Sequence, residues 1–318
     1  MVNWEEWTLT QEHGKVMPSL EKLGIINCKK LKATPNCLPS TLREVTIENC
    51  YQVIWVQDNP LPHVRHLTLK YARGISSEPL SYLPALETLE IRGFSCESLP
   101  FNGWGMLESL HTLVISDCPE LTSLPDGLGQ LKALQALHIS KCKRLPSLPD
   151  GLGQLKALQT LQISTCKRLS SLPEGLGQLK ALQTLDISWC RQLSSLPEVL
   201  RQLKALQTLR ISQCEQLSYL PEGLGQLEVL HAMYIGGFHE LTSLFNGSGR
   251  FKALQYLNIS NCNRLMSLSD GMLQLEVLQN LDGGWGKRKE RTGAKYHTSH
   301  AFGLMAKKFS KCKRKHGR

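Results

Sequence analysis

The chain has 318 residues, of which 41% are hydrophobic, 20% charged and only 6% aromatic. That is enough apolar material to exclude wholesale disorder, and no run approaches the 18 apolar residues of a membrane-spanning helix. The formal net charge is +10, but residues 287–318 hold 12 Lys/Arg against one acid, leaving 25 bases against 26 acids in the remainder. The body therefore gives no electrostatic reason to bind phosphate; only the tail carries that charge.

In chain order, the opening MVNWEEWTLT has two acids and no apolar h-region, so it does not read as a secretory signal. A repeating unit then begins. A slot filled mostly by cysteine recurs at Cys28, Cys50 and Ala72 in steps of 22. From Phe94 the step is 24, through Cys118, Cys142, Cys166, Cys190, Cys214, Phe238 and Cys262. These are eleven registers, and LQNLDGGW (278–285) is a faded twelfth. One full unit runs Leu158, Leu161, Ile163, Cys166, Leu169, Leu172, Pro173, Leu176, Leu179, or LxxLxIxxCxxLxxLPxxLxxLxx.

The Leu161–x–Ile163 alternation predicts a short strand with one face inward. The later leucines, spaced by three and four, suit a loose helical or 3-10 turn on the return path, and Gly175 and Gly177 there argue for turns rather than a long helix. A single unit cannot bury its own apolar face, so units must stack. The expected fold is an α/β solenoid of about 11–12 coils, an arc with a parallel β-ladder on its concave face and turns or short 3-10 segments on the convex one. Residues 1–285 are assigned to the solenoid and 286–318 to a basic, disordered tail.

Eight of the eleven cysteines share the slot, which predicts a stack of one buried thiol per coil, each S–H meeting a carbonyl. No CxxC and no Cys/His cluster of ligand spacing occurs, so neither a metal nor a cofactor is expected. Many free thiols fit a reducing compartment. The sequons at Asn246 and Asn258 would matter only in a secreted protein.

Four neighbouring units are near-copies, with GLGQLKALQ unchanged at 127–135, 151–159 and 175–183. Their middle outward strand position instead reads His138, Gln162, Asp186, Arg210, and continues as Tyr234, Asn258 and Asp282. The residue before the cysteine reads Lys141, Thr165, Trp189, Gln213. Drift at exposed positions would explain such variety. However, Gln130, Gln154 and Gln178, with Lys132, Lys156 and Lys180, are also expected to be exposed and have not changed. The variety is therefore assigned to a partner-binding surface comprising His138, Lys141, Gln162, Thr165, Asp186, Trp189, Arg210, Gln213, Tyr234 and Asn258. Trp189 and Arg210 are its expected anchors.

LxxLxIxxC followed by LxxLP resembles the leucine-rich-repeat domain of plant nucleotide-binding leucine-rich-repeat immune receptors of the coiled-coil class. MVNWEEW (1–7) resembles their M-x-x-W-x-x-W segment, and residues 20–50 resemble their L-x-I-x-x-C-P-K-L passages. KRKERTGAKYHTSH (287–300) resembles, in degraded form, the basic T-G-x-x-x-H segment that ends many of them. The resemblance covers roughly residues 1 to 300 and implies the C-terminal portion of a larger receptor. It implies a non-enzymatic module in plant innate immunity that binds a pathogen effector or a guarded host protein, and helps restrain a nucleotide switch domain. No GxxxxGK[ST] loop is present, so nucleotide binding is not carried over. The first coil is then expected to leave core leucines uncovered.

Two other binding roles fit the repeats: a cytosolic scaffold, or an F-box-like arm of a ubiquitin ligase. F-box repeats share the cysteine slot but continue I-T-D-x-G, where Leu-Ser-Ser-Leu-Pro stands here. No nucleophile elbow, kinase signature or paired acids point to an enzyme. The expected location is cytoplasmic. The tail runs KRKER (287–291) and KKFSKCKRK (307–315) read either as a nuclear-import signal that also allows contact with RNA or acidic lipid, or as a solvated charge run.

Overall fold

Each coil begins with the L-x-I alternation, and each alternation forms a five-residue strand. The structure, a computed structural model, describes residues 4–7, 17–35, 38–54, 60–72, 80, 83–241 and 251–262, and the backbone of 280–284. The chain divides into two compact units, Met1–Lys167 and Arg168–Arg318.

The first unit carries β1 (Lys22–Ile26), β2 (Glu44–Glu48), β3 (His66–Lys70), β4 (Thr88–Arg92), β5 (Thr112–Ser116), β6 (Ala136–Ser140) and β7 (Thr160–Ser164). The second carries β8 (Thr184–Ser188), β9 (Thr208–Ser212), β10 (Ala232–Gly236), β11 (Tyr256–Ser260) and β12 (Asn280–Gly284). Within each unit neighbouring strands pair in parallel and in chain order, so every slot of the repeat aligns with the same slot one coil on. The faded twelfth repeat is a real register: β12 pairs with β11, Leu281 opposite Leu257. The leucine-rich-repeat solenoid expected from the periodicity is the observed fold.

The inward residues of these strands are sealed, Leu137, Ile139, Leu161 and Ile163 in the first unit and Leu185, Ile187, Leu209 and Ile211 in the second being 0% exposed. Each such burial contributes about 2 kcal/mol. After the strand comes the slot cysteine, also sealed, and then a return path whose backbone needs are met locally. In the coil after β6, the amide of Leu145 donates to the Cys142 carbonyl, and the amides of Leu152, Leu155 and Leu158 each donate to the carbonyl three residues back. These four inward leucines thus each close a tight turn that meets the leucine amide locally.

Five-residue 3-10 turns occur at Asp126–Gln130 and Asp150–Gln154 in the first unit, and at Glu174–Gln178, Glu198–Gln202 and Glu222–Gln226 in the second. A proline precedes each one; its ring fixes φ and removes an amide that would have no partner there. The glycines do more than discourage a helix. A Cβ on Gly129 would lie 2.5 Å from the Gly151 carbonyl oxygen of the next coil, so close stacking of the turns requires its absence.

Where the slot is not cysteine, other apolar groups fill it: Ala72, Phe94 and Phe238 are all buried. Phe94 packs with Phe101 at 5.8 Å, and Phe101 meets Trp104 edge-on at 6.2 Å. The Trp104 indole N–H donates to the Phe101 carbonyl at 3.0 Å, so this coil puts aromatics at Phe94, Phe101 and Trp104 where the near-copies have cysteine, proline and leucine. At the other end of the first unit, Leu20 and Leu23 are only half-buried. The backbone carbonyl of Glu5 accepts from the Lys32 amide, and Trp4 and Trp7 pack together at 5.0 Å.

Candidate functional site

Two outward columns run beside the sealed spine, and both were singled out by their variety. The first is the middle strand position. In the first unit it reads Gly24, Thr46, Thr68, Glu90, Val114, His138, Gln162, each opposite the next. In the second it reads Asp186, Arg210, Tyr234, Asn258, Asp282. His138 therefore neighbours Gln162, and Asp186 neighbours Arg210. The backbone of Asp282 continues the row, while Asn246, Cys37, Cys312 and the tail 286–318 lie outside the described residues.

The second column, immediately before the slot, has a backbone signature that the sequence did not reveal. Asn27, Asn49, Tyr71, Asp117, Lys141 and Thr165 in the first unit, and Trp189, Gln213 and Asn261 in the second, all have φ between 51° and 59°. Gly93 and Gly237 complete the column at 72° and 71°. The strand ends in a left-handed residue because the chain must swing the next side chain, the cysteine, into the core. Gly, Asn and Asp tolerate that geometry; Lys, Thr, Trp and Gln take it at a cost of roughly 1–2 kcal/mol each.

The side chains of the first unit's opening coils satisfy one another. Lys70 pairs with Glu90 at 3.6 Å and Arg92 with Glu90 at 3.5 Å, and the Arg92 Nε–H donates to Ser116 Oγ at 3.1 Å. Lys22 meets Glu44 at 2.7 Å, which holds that carboxyl below its ordinary range. In the left-handed column Asn49 donates to Asn27 at 3.0 Å. The Tyr71 ring lies over Gly93, where a Cβ could not fit, and its hydroxyl donates to Asp117 Oδ2 at 2.8 Å. That hydrogen bond holds the Tyr71 phenol above its usual range. Further along, His138 Nδ1 and Gln162 Oε1 are 2.9 Å apart.

The second unit presents a different set. Arg210 Nε lies 3.6 Å from Asp186 Oδ2, and its guanidinium carbon sits 4.2 Å from the centre of the Tyr234 ring. Tyr234 in turn packs against Tyr256 at 5.0 Å. Burial pushes the Asp186 carboxyl up from its ordinary value against the opposing pull of Arg210. Its Oδ1 is the one buried side-chain N or O atom without a hydrogen bond among the described residues. Trp189 is 48% exposed, and Gln213 folds over Gly237. Tyr256 belongs with this group although the sequence reading passed over it. It occupies the first outward position of its strand, where Thr208 and Thr184 stand two and three coils earlier, and that change of type was the available signal.

The return side corrects one inference. The lysines there are exposed but not unconstrained: Lys156 Nζ donates to the Gly153 carbonyl and Lys180 Nζ to the Gly177 carbonyl, each at 2.7 Å. Constancy of that column reflects capping of the 3-10 turns, so it does not measure how fast an idle surface would drift. The variety of the left-handed column stands on firmer ground, because the residues found there are ones its backbone disfavours.

The slot thiols donate to the carbonyl two residues earlier, the last of the strand, at 3.4 Å for Cys118 and 3.5 Å for Cys142 and Cys214. Burial pushes Cys214 and Cys262 up to about 11, and hydrogen bonding with the neighbouring Cys118 and Cys166 thiols raises Cys142. Cys214 and Cys262 remain neutral at physiological pH, unsuited to nucleophilic attack or zinc binding. Among the described residues no three His, Cys, Asp or Glu side chains converge on a metal-sized site, and no helix is long and apolar enough to cross a membrane.

Residues 41–195 match the family model described as a leucine-rich repeat region. The chain is 33% identical over 139 residues to each of two proteins of Arabidopsis thaliana, the probable disease resistance proteins RF45 and RDL5. Each match takes in 39% of this chain and 12% of the relative, so the chain spans about an eighth of their length. Among solved structures it is similar to the leucine-rich-repeat domain of the type III effector XopL, with a TM-score of 0.57 and 22% identity over 84% of this chain and 77% of that one. It is also similar to Toll in its Drosophila complex with Spatzle, with a TM-score of 0.61 and 17% identity over 82% and 39% of the two chains. At such identities these two likenesses concern the fold alone. The sequence matches carry the rest: this chain holds a leucine-rich repeat region and is similar in sequence to segments of plant disease resistance proteins.

Proposed function

We infer that the chain is a non-enzymatic protein-recognition module in plant innate immunity, working in the cytoplasm. Its strand face contacts a pathogen effector or a guarded host protein, and in a full-length receptor also the nucleotide switch domain. The observation that carries this reading is the left-handed column. Lys141, Thr165, Trp189 and Gln213 replace the Asn, Asp and Gly that the backbone favours, at positions where side chains face away from the core. Strain of that kind persists where another requirement outweighs it. Names of the relatives supply the defence context, and the rigid spine beneath supplies a fixed frame for variable contacts.

The test is to place Gln162→Ala, Trp189→Ala and Arg210→Ala together in a full-length resistance protein bearing these repeats. Effector-triggered cell death is expected to fall at unchanged protein level. An undiminished response would remove the recognition reading for this face. A scaffold or ubiquitin-ligase arm would instead give stable complexes that do not depend on a switch domain.

A further inference from the structure

The strand face of the second unit holds its one arginine in an unusual way. The Arg210 guanidinium carbon sits over the Tyr234 ring at 4.2 Å, with Tyr256 packed against that ring, and its Nε lies 3.6 Å from Asp186. A guanidinium has five N–H donors in a planar fork. Among the described residues no hydrogen bond is made to Nη1 or Nη2, and the side chain is 47% exposed against 20% for Asp186. The pair is formally neutral, yet what it shows to solvent is its positive end. One coil away and three residues beyond Asp186, Trp189 stands half-exposed on a backbone that disfavours it.

We propose that Trp189, Arg210 and Tyr234 form a docking site for an acidic segment of a protein partner, whose Asp or Glu carboxylate is received by the free Nη edge of Arg210 while a neighbouring apolar side chain covers Trp189. This rests on the reading of the strand face as a protein-contacting surface and specifies the chemistry of the contact. Charge complementarity selects the occupant. In β8–β11 the middle and left-handed columns contain Asp186, Arg210, Tyr234, Asn258, Trp189, Gln213, Gly237 and Asn261, so Arg210 is their single cation. One fork fits one carboxylate in bidentate fashion. A nucleic-acid backbone would need a series of cations, which these columns lack. Stacking on Tyr234 fixes the guanidinium before binding, so little side-chain freedom is lost when the carboxylate arrives.

The purified full chain is to be panned at low salt against phage-displayed random 12-residue peptides, and the most enriched peptide synthesised and titrated by calorimetry. The expected consensus carries Asp or Glu beside an aromatic or large aliphatic residue. Arg210→Gln should weaken binding at least tenfold with an unchanged circular dichroism spectrum. Arg210→Lys should not restore it, since a lysine offers no planar fork. Trp189→Ala should also cost about tenfold, and raising the salt concentration should weaken the wild-type complex. A consensus without an acid, or an affinity indifferent to Arg210→Gln, overturns the proposal. If that indifferent binding is instead lost in a His138→Ala/Gln162→Ala variant, the site is wrong while the protein-recognition reading stands. No enrichment of any peptide overturns both.

Discussion

The opening four coils of the first unit and the coils of the second share one interior and wear different faces. Between β1 and β4 the outward columns are charged and closed on themselves: Lys22 with Glu44, Lys70 and Arg92 with Glu90, Asn27 with Asn49. Between β8 and β11 they are neutral and aromatic, built of Asp186, Arg210, Tyr234, Tyr256, Trp189 and Gln213, with donors and a ring left toward solvent. The inward residues beneath β2–β4 and β8–β11 are equally sealed. A repeat fold separates the two tasks because successive strand residues point to opposite sides, so the face can change without disturbing the core.

The strongest way to break this comparison is to find the interiors unequal. Leu67→Ala in the first unit and Leu209→Ala in the second remove equivalent, fully buried side chains. Each is expected to cost about 2–5 kcal/mol in chemical denaturation. A loss confined to one of them would mean that the spine is not shared. Next in size is the left-handed column. Trp189→Asn should raise stability by about 1 kcal/mol, and Asn49→Trp should lower it by a similar amount or more, since Asn49 also donates to Asn27. Equal signs would show that the backbone exerts no such preference.

A smaller effect concerns Asp186. Its carboxyl is held above its ordinary value by burial, so the ionised form is less stable in the folded chain than in the unfolded one. Asp186→Asn should therefore raise stability at neutral pH, and the gain should shrink as pH falls through the raised value and the native carboxyl protonates. Melts from pH 7 down to pH 4 would test the sign. The smallest change is expected at Glu90, which sits between Lys70 and Arg92. Glu90→Gln should cost less than about 1 kcal/mol, and the difference should fade in high salt.

Much of this was legible in the chain. The repeat period located the inward strand positions, since Leu161 and Ile163 are the two inward residues of β7. Glycines and prolines at fixed offsets marked the 3-10 turns, and even the degenerate LQNLDGGW took its place as β12. The variable columns were found by comparing near-identical copies, and His138, Gln162, Asp186 and Arg210 do face away from the spine in their units. What escaped was the backbone beneath the second column. A residue whose identity runs Lys, Thr, Trp, Gln gives no hint of a left-handed φ; only the Asn, Asp and Gly of the flanking coils do. The return-side lysines misled for a related reason, because capping the carbonyl three residues earlier in the same turn leaves no trace in a pattern that looks merely polar.

The sequence by itself determined the period, the inward spine, the parallel stacking and the places where the surface was allowed to differ. These are properties of one coil repeated, set by which residues must avoid water. Tertiary structure decided which outward groups neutralise one another and which remain available. Among the described residues Arg210 meets Asp186, Tyr234 and no third partner because strand register brings residues 24 apart in the chain to within reach. That register is a consequence of burying the leucines, not of any preference the arginine has of its own.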